Sequence, residues 1–272
     1  MRCMKKQIKN AIIINYNNIL FSPSIKLLVI LVTFLSIGFS FWPYISKHVF
    51  DMTVSSNIQL SGNLAIVVGI CCICMLFLVL LVTRIGAQVG FAKGSKVTEI
   101  ILTTLTREEL YKTHVISSIL VAITTLSIVY LPMFIAGIIN NNNYVLLFRC
   151  IRGNDVIFII LHMILTVCSM VILSISLASL VKRSEDTGPY LMICLLPFII
   201  SLIYESIMNK MYGGIFTILN YIPLTSLIPS IGAGINNLLD FREWIKMISS
   251  DFIFILICYF GGRKIFSKNI TK

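Results

Sequence analysis

Charge is scarce in this sequence. Only 12% of its 272 residues are Asp, Glu, Lys or Arg, and there are three histidines. A soluble globular domain carries about 25% charged and roughly 45–50% apolar residues, whereas this chain is 57% hydrophobic with a mean hydropathy of +0.94. That excess excludes a soluble domain and places the chain in a membrane. A phosphate-binding loop of the form G-x-x-x-x-G-K-[ST] is missing too, so the chain is not expected to hold a nucleotide itself. With so few histidines, and with Cys71, Cys72, Cys74, Cys168, Cys194 and Cys258 inside apolar runs, the cysteines read as small hydrophobes and no metal site is expected.

What is present is a set of long apolar runs. A helix needs roughly 20 apolar residues to cross the hydrocarbon core, and six runs meet or approach that: about 27–46, 63–83, 115–139, 156–181, 188–208 and 247–262. They are continuous rather than alternating, which predicts helices and not barrel strands. The expected fold class is an all-α integral membrane protein, a single domain over 1–272 with six transmembrane helices.

The basic residues set the expected orientation. Lys47, Arg149, Arg152, Lys210, Arg242 and Lys246 fall on one side of the six spans, and the other sixteen of the 22 basic residues fall on the side of both termini. Basic residues collect on the cytoplasmic side, so both termini are expected in the cytoplasm and the protein in the cytoplasmic membrane. The region 211–236 is apolar but broken by Gly213, Gly214, Pro223, Pro229, Gly232 and Gly234. It is read as an outer re-entrant or interfacial helix pair between the fifth and sixth spans.

Two amphipathic segments belong to the cytoplasmic face. Before the first span, Ile8, Ile12, Tyr16 and Ile19 recur at helical spacing with Lys5, Lys6 and Lys9 elsewhere, and Ser22-Pro23 closes the helix. This predicts an interfacial helix whose lysines face anionic lipid. The second segment, residues 92–110, reads AKGSKVTEIILTTLTREEL. Ser95 is placed to cap a short helix with Glu99 in its first turns, and Val97, Ile100, Ile101 and Leu105 share one face. Thr106-Arg107-Glu108-Glu109 then matches a capping box that starts the third span.

Lys93 to Thr106, KGSKVTEIILTTLT, resembles the cytoplasmic motif of ABC-2 type exporter permeases, which runs approximately K-x-x-G-T-x-E-x-L-L-x-T-P-x-S. It departs where Leu105 replaces the proline, and the acidic residues that often open the motif are missing around Ala92. The resemblance implies that this loop is the coupling helix that fits a cleft on an ABC ATPase subunit, through Lys93, Ser95, Glu99, Ile100, Ile101, Leu105 and Thr106. It also implies that ATP and Mg are held by that partner, with no cofactor on this chain. A second permease copy or sister permease would complete a dimer. An apolar interior without fixed charges suits an amphipathic or hydrophobic cargo such as a peptide, lipid or drug. Export, including of antimicrobial peptides such as bacteriocins, follows from the resemblance alone, and nucleic acid is not an expected partner.

Two other classes remain open on the residues. An ion-coupled secondary transporter keeps ionisable groups deep in the membrane; the first three spans have none at mid-depth, while His162, Glu205 and Asp251 form a candidate outer polar lining. An intramembrane enzyme is the weaker alternative. Glu108-Glu109 resembles the EExxxR pair of membrane proteases, but Thr113 stands where the arginine is required. No catalytic residue is assigned.

Overall fold

The computed structural model describes residues 2–35, 78–94, 97–139, 153–181, 186–208, 221–227, 230 and 239–271. Eight helices organise them: α1 (Arg2–Leu20), α2 (Pro23–Leu35), α3 (78–94), α4 (Val97–Ile101), α5 (Arg107–Ile139), α6 (Gly153–Ala178), α7 (Thr187–Met208) and α8 (Phe241–Asn269). No strand occurs among the described residues. Three helical stretches are long and apolar enough to cross a membrane, Arg107–Val129, Ile157–Ala178 and Phe241–Asn269, and a fourth is added if the bent α1–α2 pair is one span. The expected runs at 115–139, 188–208 and 247–262 fall inside α5, α7 and α8, and that at 156–181 falls on α6 and the turn after it. Those at 27–46 and 63–83 lie in large part outside the described residues, as does most of the 211–236 pair.

The break between α1 and α2 has a local cause. Proline has no N–H to continue the helix and its ring clashes with the preceding turn, so α1 stops before Pro23 and α2 starts there with a 58° bend. The Ser22 hydroxyl donates to the Ile19 carbonyl at 2.8 Å and occupies one of the freed acceptors.

Burial is arranged as a bilayer requires. On α8 the large side chains Phe252, Ile253, Leu256, Ile257 and Phe260 are exposed, whereas Trp244, Met247, Asp251, Gly262 and Phe266 are buried. The outward face is therefore the greasy one. The buried face of α6 is rich in small polar residues, and its serine hydroxyls are satisfied within the helix, while the Thr166 hydroxyl is buried without a partner: Ser169 donates to Thr166 O at 2.7 Å, Ser174 to Val171 O at 2.8 Å and Ser176 to Ile172 O at 2.7 Å. Such bonds let hydroxyls enter a low-dielectric interior without an orphaned donor.

Lipid tails are as apolar as leucine, so helices in a bilayer associate through close van der Waals contact at small residues. α6 and α8 run parallel, with contacts in register from Phe158 stacked on Trp244 (ring centroids 5.8 Å apart), through His162 and Asp251, to Ser176 against Gly262. At Gly262 the two helices also meet α5, where the Tyr111 hydroxyl lies 2.5 Å from the place a Cβ would take. α3 approaches the start of α7 in the same way: a Cβ at Gly90 would sit 2.6 Å from the Thr187 hydroxyl, and Gly86, one turn away, faces Leu191. Gly86 and Gly90 form a G-x-x-x-G pair, the spacing that brings two helix backbones together.

α1 packs on α5. Its Ile8, Ile12, Tyr16 and Ile19 positions are the shielded ones, while Lys6 and Lys9 are exposed. Asn15 ties three helices: its amide nitrogen donates to His114 Nδ1 at 3.0 Å and to the Ser117 hydroxyl at 2.8 Å on α5, and its oxygen accepts from Gln88 of α3 at 3.3 Å. The periodic face of α1 thus meets protein.

Candidate functional site

Residues 97–110 of the 92–110 segment fold as two helical pieces joined by a tight turn. α4 is only five residues long because its own threonines end it. The Thr103 hydroxyl donates to Ile100 O at 2.7 Å and the Thr104 hydroxyl to Ile101 O at 2.9 Å, taking carbonyls that a longer helix would need. Backbone bonds from Thr103 N to Ile100 O (3.2 Å) and Thr104 N to Ile101 O (3.0 Å) tighten the last turn.

α5 then begins with the capping box. The Thr106 N–H donates to Glu109 Oε2 at 2.9 Å, the Thr106 hydroxyl to the same oxygen at 2.8 Å, and the Glu109 N–H to Thr106 Oγ1 at 3.3 Å. Glu109 lies before the apolar stretch that opens at Val115, and the Thr106 N–H and hydroxyl hold its carboxyl below the usual carboxylate range. Two orphan donors at a helix start are thereby engaged, and the direction in which the chain enters α5 is fixed.

The predicted apolar face is rearranged. Leu105 is buried and Ile101 packs against the core, but Ile100 is 71% exposed and points away from them; Thr98, at 3%, is buried instead. The reason is helical geometry. Neighbours at i and i+1 diverge by about 100°, and Thr98, Ile101 and Leu105, spaced three and four apart, take the inward positions, so Ile100 faces away. Val97 lies in α4, though its side chain is outside the described residues, and Ser95 with its proposed cap lies outside them altogether. Glu99 is exposed on the rim. Lys93 reaches away from the loop and donates from Nζ to Ser179 O at 2.8 Å, at the C-terminal end of α6, where a cation suits the negative end of the helix dipole.

Between α4, the start of α5 and the end of α8 is a cleft of about 380 Å³ lined by Glu99, Leu102, Leu105, Thr106, Arg107 and Thr271. Two leucines and two threonines line it together with a carboxylate and a guanidinium. Two long-range contacts close its back: Arg107 Nη1 donates to Ser267 O at 3.0 Å, and Arg263 pairs with Glu108. Neither was legible in the sequence, because the partners are about 155–160 residues apart.

The candidate polar lining is partly assembled, far along the bundle from this cleft. His162 of α6 and Asp251 of α8 pair through Nδ1 and Oδ2, and both are buried. Ser226, which the sequence reading passed over, completes the group with its hydroxyl 3.2 Å from His162 Nε2. Its signal was faint, one serine in the broken apolar stretch before α8. Glu205 lies in α7, with its side chain outside the described residues. Among the described residues no cluster of three His, Cys, Asp or Glu side chains could hold a metal ion.

A family model described as ABC-2 family transporter protein matches residues 44–260. No curated protein and no solved structure matches the chain.

Proposed function

Because this chain belongs to the ABC-2 family of transporter proteins, a membrane transport component rather than a catalyst, we propose that it is the permease subunit of an ATP-driven exporter. In this reading it has six spans with both termini in the cytoplasm, pairs with a second permease, and docks a separate ATPase subunit through residues 92–110. The ATPase holds ATP and Mg. The cargo is amphipathic or hydrophobic, in keeping with an interior whose buried polar groups are mainly serine and threonine hydroxyls spent on their own helices.

The observation that carries the proposal is the shape of the α4–α5 loop. It is capped, tied to α8 at its back, and presents the exposed Ile100 beside a cleft rimmed by Glu99 and Arg107. A rigid projecting apolar side chain next to a charged cleft is a docking surface; a slack loop could not transmit force. The test is affinity capture of the gently solubilised protein from its native membrane, for wild type, Ile100→Arg and Glu99→Arg, with mass spectrometry and an ATPase assay on the eluate. Wild type is expected to bring an ATP-hydrolysing subunit and the variants to lose its retention or its coupled activity. Wild-type complexes without any ATPase would sink the reading and favour the ion-coupled alternative, with His162 and Asp251 as its first targets.

A further inference from the structure

α8 is held at both ends by groups remote in sequence. At the cleft end, Arg263 pairs with Glu108 and the Ser267 carbonyl accepts from Arg107. At the far end it fastens residues 221–226 in three places. Ser250 donates to Tyr221 O at 2.6 Å, Glu243 accepts from the Tyr221 hydroxyl, and Asp251 positions His162, whose Nε2 meets the Ser226 hydroxyl at 3.2 Å. Asp251 and Arg263 are twelve residues apart, about 18 Å along one helix. Nothing interrupts α8 between them, since it contains no proline and runs unbroken from Phe241 to Asn269.

Ser226, His162 and Asp251 stand in the order of a hydrolytic triad, yet the surroundings do not suit catalysis. All three are buried. The N–H groups of Thr225 and Ser226, which would have to face a developing oxyanion, both point to Ile222 O, at 3.3 and 3.1 Å. The same geometry suits a fastening: a hydroxyl on a short irregular segment is bonded to an imidazole on α6, which an acid on α8 holds in place. The fastening is incomplete, because Asp251 Oδ1 is buried without a hydrogen-bond partner. Leu224, two residues before Ser226, is held at φ 79°, a left-handed backbone that a leucine avoids. A polar network with every group satisfied would be rigid; this one leaves a buried oxygen unpaired.

We propose that Ser226, His162 and Asp251 form a latch that holds residues 221–227 against α6 and α8, and that α8 is the strut by which the α4–α5 loop governs it. Glu108 and Arg263 are then positioning residues for coupling. The inference takes from the proposed function only that the loop moves when its partner engages, and its test needs no partner.

The test uses the full chain in lipid nanodiscs, where both membrane faces are open to reagent, with Ser230→Cys as reporter. Ser230 is fully buried and its N–H donates to Ser226 O at 2.9 Å, and cysteine nearly matches its shape. Labelling of the reporter thiol by a water-soluble maleimide is followed by mass spectrometry of the peptide that contains it, with the buried native Cys194 of α7 as monitor of the overall fold. Adding Ser226→Ala is expected to speed labelling of the reporter roughly fivefold, the factor one buried hydrogen bond carries, with Cys194 unchanged. Glu108→Arg, which sets two cations together, is expected to speed it in the same direction, and the exchange Glu108→Arg with Arg263→Glu to restore it. An unchanged rate in Ser226→Ala overturns the latch, and so does parallel labelling of Cys194, which would assign Ser226 to general packing. A reporter rate that responds to Ser226→Ala but not to Glu108→Arg overturns the strut. Failure to capture an ATPase, with these rates as expected, would remove the partner and leave latch and strut standing.

Discussion

At Gly262 three helices approach closely, and a single methyl group there tests the packing of the bundle. In Gly262→Ala the new Cβ would meet the Ser176 hydroxyl of α6 and lie 2.5 Å from the Tyr111 hydroxyl of α5, with Ser176 Cβ at 3.2 Å. Alanine is the better helix former by about 1 kcal/mol, which works in favour of the substitution. Overpacking a closed site costs roughly 1–3 kcal/mol, and here two obstructing groups sit on different helices, so relief of one does not relieve the other. Tyr111 is pinned by its own bond to Tyr259 O at 3.2 Å and by ring contacts to Tyr259 and Phe266. The net expectation is a loss of about 1–2 kcal/mol. The assay is thermal unfolding in detergent, read by a thiol-reactive dye as Cys168, Cys194 and Cys258 become exposed. Repeating the substitution in a Ser176→Gly background should recover about 1 kcal/mol as a coupling energy, since neighbours in contact fail to add. Equal or higher stability of Gly262→Ala, with no coupling to Ser176, would refute the close approach of α6 and α8.

Other expectations follow from single contacts. Asp251→Ala leaves the buried His162 without its Nδ1 partner and should cost about 1–3 kcal/mol in the same melt, while Asp251→Asn, which keeps an acceptor, should cost less. Asn15→Ala removes the bonds to His114, Ser117 and Gln88; α1 should loosen from α5, and limited trypsin digestion should cut at Lys6 and Lys9 sooner than in wild type. The cap of α5 should depend on pH with a definite sign. Because the folded state holds the Glu109 carboxyl below its ordinary value, the cap's contribution is complete above that ordinary value and fades as pH falls through the lowered one. Amide exchange at Glu109 and Leu110 should therefore be more protected, relative to Thr106→Ala, at neutral pH than at strongly acid pH, and equal protection at both would remove Glu109 from the cap.

Local chemistry was legible in the sequence. Pro23 ends α1 because a proline cannot donate the next bond, Thr106 and Glu109 start α5 because a capping box needs only residues three apart, and the helical class follows from continuous apolar runs in a chain with little charge. The shielded stripe of α1 could be named from its spacing, but whether it met lipid or protein could not, since the two are equally apolar. Ile100 shows the limit of periodicity, which set it on one face with Ile101; adjacent side chains on a helix diverge by about 100°, and the inward register of Thr98, Ile101 and Leu105 leaves Ile100 outside. Gly262, the Glu108–Arg263 pair and the union of His162, Asp251 and Ser226 were decided by tertiary structure alone. Each depends on which faces of remote helices meet and at what register. Those are set by the summed fit of many side chains across the bundle, and no stretch of chain a few residues long contains them.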